Sequence, residues 1–171
     1  MFHHSKDKPL TERQQRIYDF INSNRTGVIT SIGANNQPHG CVIYHSIDKQ
    51  FNVSFLTKKG TQKYENLLKN NKVMLVVFEL ASQTVVQVTG RAREVKNRQT
   101  FNQILESILM TSFKTSNGGI PPIAKLDAGE CTAFMIEPDQ IRMASYVRPD
   151  TGGYDQMFES IESFDLNAMH A

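Results

Sequence analysis

Phe51, Val53 and Phe55 alternate with Asn52 and Ser54, the two-residue period of a half-buried strand. Around this segment the pattern changes several times. Residues 11–24 put Ile17, Phe20 and Ile21 at helical spacing behind Thr11, a good N-cap, and Arg25-Thr26-Gly27 ends the helix. Strands are predicted at 28–32, 40–47 and 51–56. The turn cluster Gly33-Ala34-Asn35-Asn36-Gln37-Pro38 separates the first two, and Asp48-Lys49 makes a tight turn into the third. A helix at 61–70 leads to the wholly apolar strand 73–78, and a longer strand covers 84–94. Asn97 caps a helix over 98–113, striped by Phe101, Ile104, Leu105, Ile108 and Leu109. The segment 114–127, with Ser116-Asn117-Gly118-Gly119 and Pro121-Pro122, reads as a long loop. Segments 130–136 and 140–147 read as a final pair of strands turning at Pro138-Asp139.

About seven strands on short connections imply antiparallel neighbours. Closing them into a small barrel removes the exposed edges. The expected fold is therefore α+β, an antiparallel six- to seven-stranded barrel with flanking helices. One domain over 1–148 is expected, followed at 149–171 by an acidic tail or surface helix with five acids and no Lys or Arg.

Composition narrows the function. With 171 residues, 39% hydrophobic and 21% charged, the chain has the material for one packed domain. Its longest apolar run, 73–78, is far too short to span a membrane. The first residues, MFHHSKDK, lack the apolar core of a signal peptide, and two cysteines, Cys41 and Cys131, are too few for a disulfide framework. These features predict a cytoplasmic protein. A net charge of +2 gives no general affinity for nucleic acid. His3, His4 and His170 lack companion ligands, so no metal site is expected.

Charge is nevertheless concentrated at one place. Lysines 58, 59, 63, 69 and 72 stand against the single acid Glu65, where the third strand hands over to a helix. A helix start offers unpaired amides and the positive end of the dipole. Thr57 and Thr61 add hydroxyls, Lys58 and Lys63 add charge, and Gly60 permits close approach. Two readings follow from the residues: a capped helix with a solvated basic face, or a seat for a phosphate. Neither a Walker loop nor GxGxxG is present.

From about residue 16 to residue 93 the sequence resembles the FMN-binding split-barrel proteins of the pyridoxamine 5′-phosphate oxidase-like superfamily. The matching residues are Gly27-Val28-Ile29-Thr30, Gln37-Pro38-His39, and Phe55-Leu56-Thr57 with Lys63-Tyr64-Glu65-Asn66-Leu67. Asn70-Asn71-Lys72-Val73 and Val88-Thr89-Gly90-Arg91-Ala92 follow in order. The resemblance implies a split barrel that binds FMN, with deazaflavin or haem as the alternative cofactors. It implies that Thr57, Thr61, Gln62 and Lys63 hold the phosphate, and the charge of Lys58 adds it to the expected cofactor-binding residues. The ring would lie along Val42, Ile43 and Tyr44 and against Leu56. It further implies a homodimer with two flavins at the subunit interface, residues from both chains lining each site, acting as an oxidoreductase on a small-molecule substrate or electron donor. A non-catalytic flavin- or haem-binding protein on the same barrel is the rival reading, and flavin-reductase-like electron supply is a third.

The sequence departs from the oxidase in three places. The second strand supplies only His45, with Cys41 and Ser46 where basic residues are expected. Val85 stands where a flavin-contacting glutamine is expected, and Gln87, on the same strand face, is the substitute. The oxidase's C-terminal arginine-and-histidine clamp has no counterpart, Arg142 and Arg148 being the nearest candidates. Pyridoxamine phosphate is therefore not the expected substrate, and no catalytic acid, base or nucleophile is assigned. His39 reads as a turn histidine, Cys41 as a small buried hydrophobe, and Tyr44 either as a ring neighbour or as packing.

Overall fold

The computed structural model describes residues 9–115, 129–145 and 160–165. Its elements run α1 (Glu12–Ser23), β1 (Thr26–Ile32), β2 (Pro38–Ile47), β3 (Val53–Lys58), α2 (Gln62–Lys69), β4 (Lys72–Glu79), β5 (Thr84–Glu94), α3 (Arg98–Thr115), β6 (Cys131–Ser145) and β7 (Ser160–Asp165). The sheet order is β3-β2-β1-β4-β5-β6-β7, and β3 also pairs with β6. That extra pairing closes the first six strands into an antiparallel barrel, the expected α+β split barrel.

Local chemistry sets the helix ends. Thr11 caps α1 in a capping box with Gln14, whose side chain accepts from the Thr11 amide at 2.9 Å. Thr61 caps α2 by accepting from the Tyr64 amide at 3.4 Å. Asn97 accepts from the Thr100 amide at 2.9 Å at the start of α3. Alternate residues of the strands fill the barrel with Ile29, Ile43, Phe55, Leu75, Val88, Phe134 and Ile136, joined by Ile17 and Ile21 of α1 and Leu67 of α2. Helix α3 lies outside, against β2, β3 and β6. There Ile104 and Ile108 cover Leu56, Ala133 and Tyr44.

Four expectations need correction or limits. Phe51 is not a strand residue: its φ is +66°, it belongs to the turn that Asp48 ties to Asn52, and β3 starts at Val53. The predicted pair of last strands is one continuous strand, β6. Asp139 is the extra residue where pairing slips between Thr89 and Gly90, and its carboxylate meets Arg91 at 3.2 Å. At this bulge β6 changes partner from β3 to β7, so Pro138 bends the strand without ending it. Of the predicted loop 114–127, Lys114 and Thr115 continue α3, and 116–127 lie outside the described residues. The acidic segment supplies β7 at Ser160–Asp165, paired along β6, in place of a tail or helix there. No helix among the described residues is long and apolar enough to cross a membrane.

Candidate functional site

Strand β3 ends and α2 begins across Lys59, Gly60 and Thr61, and Gly60 sits at φ +75°, a left-handed conformation that favours glycine. Phe55 points into the barrel, so alternation directs Thr57 to the same side and Lys58 to the other. Thr57 is buried, whereas Lys58 is exposed and pairs with Glu130 at 3.4 Å. The structure thus gathers Thr57, Thr61 and Lys63 at one corner and leaves Lys58 facing away from it.

The two hydroxyls of the corner differ in their commitments. Thr61 donates to the Lys58 carbonyl at 2.8 Å while capping α2, which occupies its proton. Thr57 approaches Thr61 at 3.3 Å and the Lys58 carbonyl at 3.5 Å, both at the outer limit of a hydrogen bond. A ligand oxygen can recruit the Thr57 proton at little cost. The Thr61 proton belongs to the turn.

Lys63 lies half-buried, its ammonium 5.4 Å from the centre of the Phe55 ring. Burial pushes its pKa below the ordinary lysine value, opposed by the nearby Cys41 thiol. It forms no ion pair among the described residues. A cation in the first turn of a helix, where the dipole disfavours it, and with no carboxylate beside it, is a corner short of negative charge.

The expected ring-binding residues separate into two faces. Ile43 points into the core, and Leu56 and Tyr44 pack beneath α3. Val42 is 69% exposed and stands opposite Val28, itself 42% exposed. Val28 pairs with Val76 of β4, and Val76 with Gln87 of β5. Val42, Val28, Val76 and Gln87 therefore form one row across four neighbouring strands on the outer wall. Gln87 in turn pairs with Arg142, while Val85 pairs with Ala144.

His45 is sealed inside the barrel with neither ring nitrogen in a well-formed hydrogen bond. Burial pushes its pKa down to about 4, the backbone of Asn24 opposing this and the Arg25 charge adding to it. Cys41 and Cys131 are free thiols. No cluster of metal-ligating side chains occurs among the described residues.

Two polar groupings were not read from the sequence. Asn66 is buried under α2, donating to Ser31 at 3.2 Å and accepting from Gln62 at 2.8 Å. The four-residue spacing of Gln62 and Asn66 was its only signal. Arg25 ties the end of α1 to α3, donating to the Asn22 side chain at 2.8 Å, to Thr111 at 3.1 Å and to Ser107 at 3.3 Å. Its partner helix lies more than eighty residues away, so no local pattern could reveal it.

Solved structures show the same fold at low identity. A heme binding protein from Mycobacterium smegmatis superposes with a TM-score of 0.68 at 10% identity, over 94% of this chain and 61% of that longer one. A protein related to general stress protein 26, of the pyridoxinephosphate oxidase family, from Clostridium acetobutylicum gives 0.63 at 12% identity, over 94% of this chain and 99% of that one. A pyridoxamine 5′-phosphate oxidase-related, FMN binding protein from Nostoc punctiforme gives 0.62 at 10%, over 91% and 97%. Curated protein sequences yield no match. The model of the pyridoxamine 5′-phosphate oxidase family matches residues 14–144, running from α1 to the end of β6. On that span, and with the barrel closed as the family's split barrel is, the chain belongs to the pyridoxamine 5′-phosphate oxidase family.

Proposed function

We propose that the protein binds FMN and works as an oxidoreductase on a small-molecule substrate or electron donor, as a homodimer in the cytoplasm. The observation that carries this reading is Lys63: a half-buried ammonium over the Phe55 ring, with no ion pair among the described residues, on the strand face that also carries the loosely held Thr57 hydroxyl. A phosphate monoester supplies the missing negative charge, and the first amides of α2 point toward the same corner. The donor set fits such a group.

Thr57 and Lys63 would hold the phosphate, with Thr61 keeping the turn in shape. Lys58 contributes charge only at a distance. Among the residues expected to border the ring, Val42 is exposed and Gln87 half-buried on the row that includes Val28 and Val76. Bound flavin would supply hydride or electron transfer, chemistry that no side chain provides. The residues of this chain bind it, orient it and keep water from its ring.

The exposed apolar wall supports the dimer. Val28, Val42 and Phe78 face outward at 42%, 69% and 54% exposure, a cost for a monomer that a second barrel wall removes. A haem-binding reading rests on the Mycobacterium smegmatis likeness, and the sealed position of His45 withholds one histidine from any axial role.

Purified protein incubated with FMN, deazaflavin or haem tests the proposal. Flavin absorption that survives gel filtration, with bleaching on addition of NAD(P)H or a substrate, is the expected result. A Soret band with no retained flavin overturns it in favour of haem.

A further inference from the structure

Along the face of α2 that carries Gln62, Asn66, Lys69 and Asn70, a cavity of about 350 Å³ opens between the β1–β2 turn and the helix. That is within the range of small-molecule sites. Among the described residues, five side-chain amides line it, from Asn35, Asn36, Gln62, Asn66 and Asn70, with Lys69 as the only charged group and no carboxylate. Ile32 and Ala34 add an apolar wall.

The turn side of this cavity carries groups that nothing in the fold uses. Asn66 is held by Gln62 and Ser31, and Asn70 accepts from the Lys72 amide at 3.1 Å. Asn35, Asn36 and Lys69 make no side-chain hydrogen bond or ion pair among the described residues. Asn35 and Asn36 sit at φ +55° and +58°, where glycine is the less strained choice. Asn is the side-chain-bearing residue that this left-handed backbone tolerates best, and here it leaves two successive amides exposed at the cavity.

We infer that this cavity binds an adenine nucleotide moiety. An amide presents a donor and an acceptor side by side, the pattern that matches the N6 and N7 edge of adenine. Ile32 and Ala34 give the flat base an apolar wall, and the Lys69 ammonium meets the phosphate as a point charge. A lysine with no carboxylate among the described lining residues favours an anionic ligand over a cationic one. The inference stands on the cavity alone and does not require the flavin proposal. The same moiety occurs in a dinucleotide flavin and in a nicotinamide electron donor, and Gln62, which lines the cavity, directly precedes Lys63.

The test is titration of the full chain with AMP by calorimetry, beside FMN as a separate ligand. Saturable AMP binding is expected. It should weaken at least about tenfold in the Asn35→Gly/Asn36→Gly double variant, which keeps the left-handed backbone and removes both amides. Lys69→Ala should weaken AMP but not adenosine, and FMN binding should be unchanged in both variants. Displacement of AMP by FAD or by NADH identifies which source delivers the moiety. No AMP binding by the parent at millimolar concentration, or equal binding by the double variant with an unchanged melting temperature, overturns the inference. Loss of FMN binding alone would strike the flavin proposal and leave this one standing.

Discussion

The ammonium of Lys63 stands 5.4 Å from the centre of the Phe55 ring, over an aromatic face and with no ion pair among the described residues. The ring's quadrupole compensates part of the burial, by about 1 kcal/mol at such a partly exposed site. The remainder is left for an anion. Thr57, two residues after Phe55 on the same strand face, brings a weakly engaged hydroxyl to the same corner.

Replacing both donors should therefore damage binding more than folding. Lys63→Ala with Thr57→Ala is expected to weaken FMN binding by about 2–4 kcal/mol, from the loss of one charge-assisted and one hydroxyl contact. Quenching of flavin fluorescence on titration measures it. Parent-like affinity would show that the corner only caps and solvates the helix.

Thr61→Ala should have the opposite profile. Its hydroxyl caps α2 and donates to the Lys58 carbonyl at 2.8 Å, so the protein should lose about 1–2 kcal/mol of stability. Urea denaturation monitored by circular dichroism reports the shift in midpoint.

His45 sets a pH dependence of stability. Its pKa is about 4 in the folded state, below the 6.5 of an unfolded chain. Between these values the unfolded chain binds the extra proton, so stability is full above pH 6.5 and falls as pH drops toward 4. The loss should approach about 3 kcal/mol at the acid end. His45→Leu should flatten that part of the profile in urea melts at stepped pH. An unchanged slope between pH 7 and pH 4.5 would assign the dependence to other groups.

Gly90 is where β6 bends. A Cβ there would collide with the Glu137 carbonyl and approach the Pro138 Cα to 2.8 Å. Both obstacles are backbone and cannot swing aside. Gly90→Ala should destabilise the fold by about 2–3 kcal/mol, visible as a lowered thermal midpoint.

The outer wall predicts the assembly state. Val42→Lys places a charge at the most exposed position of the apolar row and should convert a dimer to a monomer in sedimentation velocity. A parent protein that already sediments as a monomer would remove the dimer from the proposal.

Strand and helix positions were largely legible in the sequence because their signals are local. The alternation at Val53 and Phe55, the caps Thr11, Thr61 and Asn97, and the apolar run before Phe78 each act within a few residues. The Pro138-Asp139 pair misled for the same reason. Locally it is a turn signal, and it is overridden by Gly90, a residue about fifty positions earlier that has no side chain to oppose the bend. The corner of Thr57 and Lys63 was partly legible: hydroxyls and lysines clustered at a helix start are a local pattern, but which of them converge depends on the strand's face.

By itself, then, the sequence determined the order and type of most elements, the barrel class and the cluster around Thr57 and Lys63. Only the tertiary structure decided that Lys58 turns away to Glu130, that Tyr44 and Leu56 lie under α3, that His45 is sealed, and that Val42 and Gln87 share one wall. The reason is physical. Periodicity and capping follow from neighbouring residues, whereas facing, burial and charge pairing follow from where distant strands close on one another.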